Sequence, residues 1–87
     1  MSLPGAELVD AGVEDLRAGR ETVEALLVSI GASRLRAAGV DVPEELSSPE
    51  LRLYELLARS YGDDAHGRYN ALVRRLVSYE RAAECAR

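Results

Sequence analysis

Apolar residues return every three or four positions in four separate stretches of this chain, and no stretch sustains the alternation of a strand. Helix-breaking residues close these stretches: Gly19, then Gly31 and Gly39, then Gly62. That rhythm restricts the fold to helices packed on helices. A first helix is expected from about Gly5 to Ala18, with Leu8, Val9, Gly12, Val13 and Leu16 on one face and Glu7, Asp10 and Glu14 on another. A second starts near Glu21 and carries Val23, Leu26, Leu27 and Ile30, widened by Ala25 and Val28. Being apolar on more than one side, it is the expected central helix. After Gly31, Ser33 is placed to cap a short continuation over Arg34 to Ala38, which Gly39 ends.

Residues 40–48 read as a connector, punctuated by Asp41, Pro43, Ser47 and Ser48, with Pro43 to Leu46 able to form a single turn. Ser47 and Glu50 have capping-box spacing, and Pro49 suits the first turn of a third helix reaching Tyr61. Leu51, Tyr54, Leu57, Ala58 and Tyr61 share one face of it, Leu53 and Leu56 flank that face, and Glu55 with Arg59 has favourable i, i+4 spacing. Asp63 or Asp64 is positioned to cap the last helix, which runs to about Cys85. Its residues Ala65, Tyr69, Leu72, Leu76, Tyr79 and Ala83 advance in alternating steps of four and three, the rhythm of a helix seam. The expected fold is all-α: a bundle of four helices with one short extra helical turn, the last helix longest, in a single helical domain over residues 1–87.

Composition narrows function mainly by exclusion. The formal charge of −4 opposes nucleic-acid binding driven by net charge. One Cys and one His supply neither a disulfide framework nor a Cys- or multi-His metal site within the chain, so no metal and no cofactor is expected. Asp63 and His66 have i, i+3 spacing, but bundle metal sites need several more inward carboxylates and imidazoles. No apolar run approaches a membrane span and the N-terminus lacks a signal-peptide pattern, so no membrane partner is expected. The lone Cys85 suits a reducing, cytoplasmic setting. Arg without any Lys reflects the coding bias of a GC-rich, bacterial genome and carries no function. With no Phe or Trp, the core rests on Leu, Val, Ile, Ala and four Tyr, and so small a core favours self-association.

Three features bear on function. The seam residues Tyr69, Leu72, Leu76 and Tyr79 suit contact with another helix, of this chain or of a twin. Arg68, Arg74, Arg75 and Arg81 fall outside that stripe with no acid between them, a face suited to phosphates or an acidic partner. Gly31, Ala32 and Ser33 before Arg34 and Arg36 have the look of a helix-turn-helix whose second helix is short. Arg59 and His66, with six residues between them on a helical hairpin, resemble the Arg and His of helical ribonucleases of the HEPN class. The resemblance covers these two residues and their setting. It implies that Arg59 holds phosphate and that His66 serves as acid or base. No nucleophile elbow, Gly-rich phosphate loop or Cys–His pair occurs, so no catalytic residue is assigned. The expected function is a non-enzymatic protein–protein interaction or self-association module, acting as a homodimer or with another protein. A regulatory nucleic-acid-binding protein using the Arg face and a HEPN-like ribonuclease are the alternatives.

Overall fold

The computed structural model describes residues 3–86. Helix α1 spans Ala6–Arg17, α2 Val23–Ile30, α3 Ala32–Ala37, α4 Pro49–Tyr61 and α5 Ala65–Cys85, with a 3-10 turn Gly62–Asp64 between the last two. The fold is all-α: four main helices, the short α3 as an extra turn, and a last helix of 21 residues that is the longest. No helix among the described residues is long and apolar enough to cross a membrane.

The core forms around α2, where Ala25, Leu26, Leu27, Val28 and Ser29 are all buried. Burial of consecutive residues means that α2 is covered on every side, as its broad apolar stripe leads one to expect. Val9, Val13 and Leu16 of α1, Leu53 and Leu57 of α4, and Leu76 of α5 close over it. Gly12 lets α1 and α2 touch. A Cβ built there would fall well inside 3.0 Å of the Glu24 carbonyl oxygen and the Val28 side chain.

Local polar chemistry sets the joints. Asp15 accepts hydrogen bonds from Arg20 Nη2 at 2.7 Å and Thr22 Oγ1 at 2.6 Å, while Thr22 Oγ1 accepts from the Ala25 amide at 3.1 Å and so caps α2. Hydrogen bonding to Thr22, then to Arg20, holds the Asp15 carboxyl below its ordinary pKa. The connector is irregular throughout, and Pro43 to Leu46 make no helical turn. Side chains fasten it instead. Arg36 donates to the carbonyls of Val42 and Pro43 and to Glu45, and buried Ser29 Oγ accepts from the Leu46 amide while donating to the Ala25 carbonyl.

Three capping expectations and one expected ion pair are corrected. Ser47 does not close a capping box, because its hydroxyl and carbonyl accept from Arg52, and Ser48 occupies the cap position in a left-handed conformation without a side-chain bond. Ser33 lies inside α3, which begins directly after Gly31. Neither Asp63 nor Asp64 caps α5 through its side chain. Glu55 and Arg59 form no ion pair in the structure, which leaves both charges on the surface of α4.

Gly67, in the first turn of α5, has open space where a Cβ would stand and a backbone that other residues adopt. Gly67→Ala is therefore expected to stabilise the fold by about 0.5–1 kcal/mol, read from chemical denaturation.

Candidate functional site

The seam residues of α5 point into the molecule. Leu76 is buried, and Tyr69, Leu72 and Tyr79 are half-buried against the core. Burial raises the pKa of both phenols, with the nearby carboxylates of Glu50 (for Tyr69) and Asp10 (for Tyr79) adding to it. The Tyr69 ring meets that of Tyr54 on α4, with centroids 6.0 Å apart and planes tilted by 58°.

The four Arg of α5 differ in their surroundings. Arg75 is paired with Glu7 of α1, and the Arg68 guanidinium lies 3.8 Å above the ring of Tyr61. Arg74 and Arg81 are exposed and have no ion-pair partner among the described residues. The helix-turn-helix expectation fails for a simple reason. Helix α3 has six residues, Arg36 is spent on the connector, and Arg34 reaches Glu80 at 3.3 Å and Glu84 at 2.9 Å. His66 is exposed and its ring nitrogen lies 3.2 Å from Asn70 Nδ2, while Arg59 is exposed and forms no hydrogen bond with it. No group of three or more His, Cys, Asp or Glu side chains among the described residues is placed to hold a metal ion. Cys85 is exposed as a free thiol.

The surface that departs most from expectation is α4. Leu53 and Leu57 turn inward and Leu56 is half-buried, whereas Leu51, Tyr54 and Tyr61 are 62%, 40% and 44% exposed. The flank of the sequence stripe is thus the core face, and much of the stripe itself looks outward. With apolar residues over more than half of the helix circumference, amphipathicity alone did not fix which of them turn inward. Contacts with α2 and α5 chose it. An open groove continues from Tyr61 between α4, α2 and α5, with Val23, Leu57 and Leu72 in its floor and Arg68 and Arg75 at its edge. Such a combination of apolar floor, aromatic wall and guanidinium rim suits the docking of protein side chains more than chemistry on a small molecule. No protein-family model, curated protein or solved structure matches this chain.

Proposed function

We propose that this chain is a non-enzymatic interaction module that works through protein contacts made by the outer face of α4. The observation that carries the reading is the exposure of Leu51, Tyr54 and Tyr61 on a single helix. A chain of this size gains by burying every large apolar side chain it can, so three left in water on one helix indicate a face shaped by a partner. Tyrosine supplies contact area at low conformational-entropy cost and Arg68 is already stacked on Tyr61, so the face is partly preorganised. The arginines of α5 support nucleic-acid binding less well, because Arg68 and Arg75 are already engaged within the chain.

Leu51→Ser with Tyr54→Ser tests the reading, since both side chains are exposed and the fold should survive their loss. Wild type and the double variant, both shown folded by circular dichroism, are compared in retaining protein partners, differently tagged copies of the chain included. Retention by wild type and at least about tenfold weaker retention by the variant is expected, in line with truncating aromatic and aliphatic anchors. Equal retention by both proteins overturns the reading.

A further inference from the structure

We infer that the partner seated on α4 is a second copy of this chain, with the two α4 helices antiparallel across a two-fold axis. The inference rests on the reading of α4 as a docking face and adds the identity and direction of the partner. At about 100° per residue, Leu51, Tyr54 and Ala58 lie within an arc of roughly 60° on α4, and Glu55 and Arg59 lie along one edge of that arc. A two-fold axis perpendicular to the helices near residue 56 sets Leu51 level along the helix with the second copy's Tyr61, and Tyr54 level with the second copy's Ala58. Small therefore meets large along the stripe.

Charge then selects this partner over others. Under that axis the edge holding Glu55 faces the same edge of the second copy. Glu55 comes within about 3 Å, measured along the helix, of the second copy's Arg59, and Arg59 meets the second copy's Glu55 in turn. Neither Glu55 nor Arg59 has an ion-pair partner among the described residues, although their i, i+4 spacing favours one. Arg52, the other cation of that edge, is already neutralised by Glu21 and held by Ser47. The edge thus presents one free acid and one free base, spaced so that a copy of itself satisfies both. Because the contact is self-complementary, it closes as a dimer and does not extend into a chain of molecules. One helix face of 13 residues makes a small interface, so the dimer is expected to form at high protein concentration.

Sedimentation equilibrium on the full chain, from roughly 10 μM to roughly 1 mM, tests this, with circular dichroism confirming that each variant is folded. The expected result is a mass that climbs from one chain to two. Glu55→Arg alone and Arg59→Glu alone each place like charges together twice per dimer and should weaken association about tenfold. The two changes together restore the reciprocal pairs and should return affinity to near that of wild type. Leu51→Asp should abolish the dimer. A monomer at every concentration, a dimer indifferent to Leu51→Asp or to either single charge reversal, or a joint reversal no better than the single ones overturns the proposal. The first of these removes the second copy as partner while leaving the docking reading to its own retention test. A dimer that ignores Leu51→Asp places self-association on another face.

Discussion

Gly12→Val is expected to destabilise the fold by about 3 kcal/mol and to lower the melting temperature by roughly 12–24 °C. Two effects of opposite sign meet at this position. Removing a glycine from a helix interior gains a few tenths of a kcal/mol for Val and about 1 kcal/mol for Ala. Adding a Cβ drives it into the Glu24 carbonyl and the Val28 side chain, well inside 3.0 Å of each. A backbone carbonyl within a helix cannot rotate aside as the end of a flexible side chain can. The helices must separate, and Val9, Val13 and Leu16 move with α1 away from the buried face of α2. Overpacking of this kind costs about 1–3 kcal/mol and more when the backbone has to move, so the steric loss outweighs the propensity gain. A chain of this length has a total stability of only about 4–13 kcal/mol, which makes a loss of this size a large share of the whole. Gly12→Ala should fall between, losing about 1 kcal/mol, while Gly67→Ala gains. If chemical denaturation shows Gly12→Ala as stabilising as Gly67→Ala, the close approach of α1 and α2 is wrong.

The contrast between Gly12 and Gly67 shows how much of the fold the sequence discloses. Both are glycines at helical positions, and although the pattern puts Gly12 on the apolar stripe of α1 and Gly67 off that of α5, it does not say how closely a neighbouring helix approaches either. Only the arrival of α2 against α1 makes one indispensable and leaves the other open. Helix number, the central place of α2 and the extent of α4 follow from period-3.6 spacing and from glycine and proline, because these are local properties. Caps were less legible. Thr22 closes α2 through a hydroxyl held by Asp15, a partner seven residues away, while Ser47 turned to Arg52. The candidate site was legible as composition and not as direction. Leu51, Tyr54 and Tyr61 were recognised as one stripe, yet the helix carries Leu53, Leu56 and Leu57 beside it, and period alone does not say which stripe meets α2. The arginines of α5 share a helix surface, but their partners Glu7 and Tyr61 lie on other elements.

Glu80 shows the same limit in its charge, and it yields the second large effect. Read along the helix, it sits at the edge of the α5 stripe. In the fold it is only 3% exposed, and its carboxylate faces Gly31, where a Cβ would come closer than 3.0 Å to Oε2. Burial raises its pKa above the ordinary 4.5, Arg34 at 3.3 Å opposes the rise, and the neighbouring Glu84 adds to it. A carboxyl whose pKa is higher in the folded than in the unfolded chain favours folding most when protonated. Its contribution is complete below the unfolded value, declines as pH rises through the folded value, and leaves a constant cost above it. Asp15 and Glu45 are shifted downward and work in the opposite sense, losing their contribution as pH falls. The pH profile of wild type alone therefore mixes the two. The difference between wild type and Glu80→Gln isolates Glu80: the variant should be as stable as wild type or more so at neutral pH, and that advantage should shrink as the pH is lowered toward 4.5. Arg34→Ala removes the group that compensates the buried charge. Breaking a fully buried pair costs about 3–5 kcal/mol, but the Arg34 side chain is 48% exposed, so a loss of about 2 kcal/mol at neutral pH is expected. That loss should diminish in acid, where Glu80 carries a proton, and should nearly vanish when Arg34→Ala is made on the Glu80→Gln chain, leaving only the exposed contact with Glu84. Denaturation of the four chains at two pH values measures all of this. Parallel stability curves for wild type and Glu80→Gln, or an Arg34→Ala loss that is the same with Gln at position 80, would show that the carboxylate is not held at a cost that Arg34 offsets.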